Sequence, residues 1–390
     1  MTPYDTRVAT RLIMLLFALQ PMAFGAWLAA IPYVKESLAL SKAELALALL
    51  GMPLALIPTL QFAAGVVSRI GPRKTFAWIL PVQACAFVLP FVAIGQGSLF
   101  AALAVAGAVL AFLEVGLNVY AGRLEKAANL VIMSRCHGFW ALGVALGSFL
   151  ATQLFFIGVF PAVLVVGGMS AMVGIGAGLN LPRLAGQAEA MVVKRQKLHE
   201  MPRALFLISF FVLFVTMAEG AMSDWAAVFL AERWASAPED AGIAVTVFAT
   251  FLAGGRFVGD YLKKRLGARG LARLTVGLAI VGVGCLTLWN SIMLTFTGFA
   301  LIGLGVSVGF PLGISASAML DDIHEAQYIS TMSMIAICGF LIGPPVIGFV
   351  GELISLRVAL MLLVPGLCVS FYLTRVFPNT AVADSKPEPE

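Results

Sequence analysis

Apolar residues along this chain neither alternate nor hold to one helical stripe; they run in blocks broken by short charged or turn-rich segments. Twelve such blocks lie near 10–33, 44–68, 75–95, 98–122, 130–156, 160–181, 204–231, 240–262, 271–289, 292–319, 326–350 and 357–376. Crossing a bilayer core takes roughly 20 apolar residues in a helix, so each block predicts one membrane-spanning helix. The first block is too long to be a removable signal peptide and lacks a small-residue cleavage site, so it is read as retained. Pro182 to Met201 is the one long interior break, with Arg183, Lys194, Arg195 and Lys197 among Gln187, Glu189 and Glu200. It reads as a cytoplasmic linker, and the other connections are short enough to force consecutive helices side by side and antiparallel. The expected organisation is a six-helix bundle over 1–181, a linker over 182–203, a second six-helix bundle over 204–376, and a Pro- and Glu-rich tail over 377–390 with no apolar face to order it.

The blocks also repeat. Arg69, Ile70, Gly71, Pro72 and Arg73 return 196 positions later as Arg265, Leu266, Gly267, Ala268 and Arg269, each set after the second long apolar run of its half. A basic elbow repeated at half-length marks two copies of one membrane unit, an arrangement that puts solute and ion sites between the halves near the bilayer midplane.

Composition turns this pattern into a class. With 61 % hydrophobic and 12 % charged residues and a mean hydropathy of +0.98, the chain has too little polar surface to coat a soluble globule. It is an all-α, multi-pass membrane protein whose surroundings are lipid. A formal charge of +5 would favour a nucleic-acid partner in a soluble protein, but here the cations are sorted by side. The N-terminus, the even-to-odd loops and the tail hold 20 of the 25 Lys and Arg residues, against four (Lys35, Lys42, Arg233, Arg357) on the opposite side. That asymmetry predicts cytoplasmic termini and removes nucleic acid as a partner. The five cysteines lack paired spacing, so neither a disulfide framework nor a metal site is expected. Glycines spaced by four, as Gly143 and Gly147 or Gly339 and Gly343, are read first as close helix packing and second as hinges.

An ionised side chain at mid-bilayer costs about 2.5 to 3.5 kcal/mol on insertion scales, so the few kept there are functional candidates. Glu114 lies about two turns from the cytoplasmic end of the fourth helix, with Asn118 four residues on and on the same face. A carboxyl in low dielectric holds its proton more tightly than in water, which suits a group that loads and releases a proton in each cycle. The alternative is a structural tie to Asn118 or a neighbouring helix. His137, at the start of the fifth helix, is the one histidine placed to face the interior, either as a proton shuttle or as a satisfied core residue. In the seventh helix Glu219 and Asp224 sit about 140° apart, so they do not share one cavity wall. Glu219 is the mid-depth candidate for proton coupling, and Asp224, near the outer end beside an interface-seeking Trp225, meets solute or water or locks an external gate. Arg256 in the eighth helix either pairs with a buried carboxylate or snorkels. Gln20, Trp27, Gln83, Trp140 and Phe310 supply the amides and aromatic rings of a solute pocket, together with Asn118. Arg69, Arg73, Arg265 and Arg269 of the elbows join Arg256 as gating candidates. No phosphate-cradling glycine loop and no ligand-spaced cluster appear, so neither ATP-driven transport nor a membrane enzyme is expected, and the only cofactor in view is the proton itself.

These elbows resemble the loop signature of the major facilitator superfamily, Gly-x-x-x-Asp-Arg-x-Gly-Arg-Lys, over nearly the full chain. The glycine and acid positions hold Ala64 and Ser68 in the first copy and Asp260 and Lys264 in the second, so both copies lack the signature acid. Glu114-x-x-x-Asn118 resembles the fucose permease branch, where a helix-four glutamate is tied to proton coupling. The strings 136–139, 218–220, 255–257 and 308–312 are similar to YbjJ-type bacterial inner-membrane permeases. The resemblance implies the fold and proton coupling; the chain is read as a monomeric carrier of a small polar solute in a bacterial inner membrane, working by alternating access, with a proton-driven exporter of drugs or metabolites or a non-transporting solute sensor as the alternatives. Sugar specificity does not carry over, because the first helix offers Gln20 where the fucose permease uses an aspartate.

Overall fold

The computed structural model describes residues 3–184, 196–235, 237, 240–321 and 323–379, and these residues form helices without strands. In the first half, α1 (Pro3–Leu19) and α2 (Met22–Ser37) make one crossing, broken at Gln20 and Pro21 because Pro21 has no N–H to continue the ladder. Then follow α3 (Lys42–Leu49), α4 (Gly51–Ile70), α5 (Pro72–Ala86), α6 (Gln96–Ala128), α7 (Met133–Leu154) and α8 (Val159–Leu179). The second half holds α9 (Arg203–Trp234), α10 (Ile243–Leu288), α11 (Ile292–Val306), α12 (Gly309–Ala318), α13 (Glu325–Leu353), α14 (Leu356–Met361) and α15 (Leu363–Leu373). Among the described residues, eleven helical stretches are long and apolar enough to cross a membrane. They follow the apolar blocks of the sequence, with the eighth and ninth blocks fused in α10.

The fusion is only nominal. A straight helix of 46 residues would run about 69 Å, more than twice the hydrocarbon core. Gly267, at φ 70° and ψ 166°, breaks it. A methyl on Gly303 would strike the carbonyl of Phe248, and one on Gly298 the carbonyl of Gly282. Residues 34 apart in α10 (282 − 248) thus touch positions only five apart in α11 (303 − 298), so the chain reverses at Gly267. Its counterpart Gly71 has φ 80° and ψ 152°, the same glycine-only region, so the 196-residue repeat is present in the backbone as well as in the residue types.

Helices in lipid gain nothing from burying apolar surface against each other, so backbone proximity and interhelical bonds carry the packing. Gly143 and Gly147 lie directly on the backbones of Ala18 and Met22, and Gly339 and Gly343 on those of Leu213 and Met217. Both four-spaced pairs are therefore contact points. One buried apolar cluster crosses the molecule, taking in Trp27 and Leu45 from the first half and Trp225 and Phe248 from the second.

Two seams join the halves. Along the first, α7 runs antiparallel to the opening segment of α10: Gly138 lies under the Phe257 ring, which meets Phe139 edge-on at 5.3 Å, and Ser148 Oγ donates to the Gly242 carbonyl at 2.9 Å while accepting from Thr246 Oγ1 at 3.1 Å. The second seam sits at the end away from the termini. There Lys42 N donates to Glu352 Oε2 (2.7 Å), Gly348 faces Ala46, and Glu232 takes both Lys35 (3.5 Å) and Lys42 (3.3 Å).

Two expectations for the connecting segments change. Phe377, placed in the tail by the sequence, is 1 % exposed and packs edge-on against Phe211 at 4.9 Å, and the Pro378 carbonyl accepts from Arg269 N. An aromatic ring beside an apolar helix end is buried even where the following residues are polar. The remainder of that tail, 380–390, lies outside the described residues, as does 185–195 of the linker. The end of the linker is docked: Gln196 exchanges two backbone-to-amide bonds with Gln327 (2.9 and 2.7 Å) and accepts from Tyr328 Oη at 2.9 Å. Beside it, a bond from His324 holds the half-buried Asp321 carboxyl below the usual carboxylate range.

Candidate functional site

Polar groups in the first half converge on one level of the bundle. The crossing formed by α1 and α2 runs parallel to α5, and the two are laddered by ring contacts: Trp27 with Phe91 at 6.1 Å and Phe24 with Phe87 at 6.0 Å. Gln20 and Gln83 stand four residues before Phe24 and Phe87 in their respective segments. Both are buried, at 1 % and 2 % exposure, and both amide atoms of Gln20 and Nε2 of Gln83 lack a hydrogen-bond partner among the described residues. A buried polar group without a partner costs about 1 to 3 kcal/mol, which makes these two amides candidates to bind a solute. From α7, Trp140 meets Phe24 at 6.1 Å and His137 meets Phe17 edge-on at 5.5 Å, which brackets the level of Gln20 from above and below.

Glu114 of α6 is half-buried, and its Oε1 accepts from Trp140 Nε1 at 3.0 Å. Asn118 shares its face as expected, but its amide donates to the Glu114 backbone carbonyl (2.9 Å) and leaves the carboxylate alone. A side-chain donor four residues on finds the intrahelical carbonyl first. No Lys, Arg or His among the described residues is in an ion pair with Glu114.

Glu219 is held differently. Arg256 Nη2 lies 2.9 Å from its Oε1, with both side chains under 10 % exposed, so the pairing reading of Arg256 prevails over snorkelling. Arg256 also donates through Nε to the Ser307 carbonyl and through Nη1 to the His137 carbonyl, both at 3.3 Å. One guanidinium thereby ties α9, α10 and the end of α11 to α7 of the other half. Gly255 makes this possible, since any side chain there would collide with Ser307. On the terminal side of Arg256, a cavity of about 30 Å³ bordered by Ser134, Asp260, Lys263 and Ser315 has room for one water molecule.

The other candidates fall in several places. Asp224 is half-buried with no hydrogen bond or ion pair to a described residue. Its neighbour Trp225 is not an interface anchor: it is fully buried and donates to the Pro344 carbonyl at 3.0 Å. That bond ties α9 to α13 beside the proline pair 344–345. Trp27 is buried in the ladder, and Phe310 is half-buried at the start of α12. The elbow arginines, expected to gate, have no hydrogen bond or ion pair across the halves among the described residues. Arg69 is exposed and Arg265 lies over the Tyr261 ring at 4.9 Å. Arg73 donates to the Leu179 carbonyl that ends α8, and Arg269 donates to the carbonyls of Arg375 and Phe377 at 2.9 Å each. In both copies, then, the elbow closes the C-terminal end of its own half, where unpaired carbonyls and the helix dipole attract a cation. Lys35, Lys42, Glu232 and Glu352, which do bridge the halves, were not singled out by sequence. The available signal was that the rare cations of the sparse side face acids at the ends of two apolar blocks.

This architecture, two look-alike helical halves around a buried polar level, defines a membrane transport protein. The sequence model of the Major Facilitator Superfamily matches residues 13–318 and again 204–390, and the chain belongs to that superfamily. It is 28 % identical over 361 residues to an uncharacterized MFS-type transporter of Yersinia pestis, covering 90 % of this chain and 91 % of the relative. It is 25 % identical over 351 residues to the membrane protein MosC of Rhizobium meliloti, covering 89 % and 85 %. Among solved structures its fold is similar to a mutant of the nucleoside transporter NupG (TM-score 0.76, 13 % identity, 95 % of this chain and 100 % of the other). It is also similar to a bacterial homolog of the human lysosomal transporter Spinster (TM-score 0.72, 15 % identity, 96 % and 97 %).

Proposed function

We propose that this chain is a proton-coupled secondary transporter of the fucose permease-like branch. It moves a small polar solute across a bacterial inner membrane with twelve crossings in two six-helix bundles and both termini in the cytoplasm. The observation that carries the reading is the contrast between its two acids near mid-depth. Glu219 has a dedicated guanidinium, whereas Glu114 has only the neutral indole N–H of Trp140. A carboxylate with no counter-ion in a membrane protein gains by taking up a proton, and doing so removes the charge that opposes closure of the cavity around it. Gln20, Gln83 and Trp140 would form the neighbouring solute wall, with His137 and half-buried Asp224 as secondary candidates. Half-buried Glu114 and Asp224 favour neutral or cationic solutes over anions.

The reversal at Gly267 supports the twelfth crossing, and the charge sorting supports the orientation. In that orientation the Lys35, Lys42, Glu232 and Glu352 seam is the closed outer gate, so the molecule faces inward. Each proton entering down a 100 mV potential supplies about 2.3 kcal/mol, enough to concentrate a solute roughly fifty-fold.

The test is transport in proteoliposomes, using a solute found by a thermal-shift screen of the purified protein. Glu114→Gln is expected to abolish accumulation driven by a pH gradient while sparing counterflow exchange. Unchanged pH dependence in that variant removes Glu114 from the mechanism, and absence of counterflow in the native protein makes it a solute sensor.

A further inference from the structure

At the terminal end of the first bundle, away from Glu114 and the buried glutamines, lies an open cavity of about 290 Å³ between α1 and the turn that leads into α7. Arg7 and Arg11, one turn apart on α1, and Arg135, in the first turn of α7, border it together with Thr10 and Ile132. Like charges at this helical spacing repel, and a third from another helix adds to that unless an anion sits among them. None of the three guanidiniums is in an ion pair with a described residue. Glu125, the acid of the adjoining turn, has Oε1 committed to the backbone amides of Ile132 and Met133 at 2.6 and 2.9 Å. Arg135 spends one nitrogen on the Val131 carbonyl (3.1 Å), and the rest of its planar fork remains available.

We infer that Arg7, Arg11 and Arg135 form a binding site for the phosphodiester of an anionic phospholipid. Guanidinium forks match phosphate oxygens in pairs, and basic pockets between helices at the cytoplasmic face are suited to acidic headgroups. Lipid is favoured over free phosphate by the surface beside the cations: Val131 is 79 % exposed and follows Leu130, which also borders the cavity, so apolar surface for an acyl chain adjoins the charge. A bound lipid would clamp α1 to the start of α7, the helix whose His137 carbonyl receives Arg256 from the other half. The inference rests on the membrane fold and not on the role of Glu114.

Native mass spectrometry of the full chain, purified in detergent and supplemented with phosphatidylglycerol, phosphatidylcholine or inorganic phosphate, tests it. The native protein is expected to retain phosphatidylglycerol over phosphatidylcholine, and the triple variant R7Q/R11Q/R135Q to lose that preference, by roughly five-fold per arginine removed. The control pair R123Q/K126Q, which removes charge from the same end, should keep it. Since the triple variant could misfold, the single variant Arg11→Gln is measured beside it on monodisperse protein and should show the five-fold step alone. Unchanged retention in Arg11→Gln, or equal loss in the control pair, overturns the site. Saturation of the three arginines by inorganic phosphate with no preference for phosphatidylglycerol overturns the lipid as its occupant.

Discussion

Arg256 shows how much one side chain can decide in a low-dielectric interior. Its charge is tolerated because Glu219 neutralises it and two carbonyls take two more of its five N–H donors. Removing either partner leaves the other charge buried and unpaired, which costs about 3 to 5 kcal/mol. Arg256→Gln and Glu219→Gln should each lower the unfolding free energy in detergent by that amount, and the double variant by clearly less than the sum of the two. An additive double variant would mean the two groups do not interact as drawn. Glu114→Gln, which removes no ion pair, should leave stability within about 1 kcal/mol of native while acting on pH-driven transport.

Among the elements, the two elbows are the clearest case of sequence symmetry becoming physical symmetry. Gly71 and Gly267 occupy a backbone region open in practice only to glycine, and each is followed by an arginine that holds the last helix end of its own half. Gly71→Ala and Gly267→Ala should each destabilise by about 1 to 3 kcal/mol through backbone strain, read as a lower midpoint in detergent unfolding. Arg269→Ala should free the segment around Phe377, so that amide exchange there speeds up while the outer seam keeps its protection. Equal effects at both places would show that the elbow couples to the gate after all.

For the whole molecule, the question is which contacts hold the halves in this state. Glu232 is shared by two lysines of the opposite half, and its pairs are partly exposed, so each contributes at most about 1 kcal/mol and weakens with salt. Shifts of that size still move a two-state equilibrium several-fold. Glu232→Gln should therefore raise the reactivity of a cysteine introduced at Ala46, which Gly348 covers on the closed side, toward a membrane-impermeant thiol reagent. No rise in labelling would mean that the Glu232 pairs do not hold this seam closed.

The block pattern, the repeat and the charge bias were legible because each reflects a constraint that acts on the chain locally: the thickness of the bilayer, the φ demanded at an elbow, the cost of carrying cations across. Helix existence and order, the membrane class and the cost of Glu114 followed from these. The partners did not. That Asn118 bonds a carbonyl, that Trp225 is buried, that Arg256 selects Glu219 and reaches His137, and that elbow arginines serve their own half all depend on which faces meet, and helix rotation is set by close glycine contacts between distant segments. Residue types determined where a buried charge or amide would be costly; only the packing of one helix on another decided which of them found a partner within the protein, as Arg256 and Glu219 did, and which, like Gln20, was left without one among the described residues.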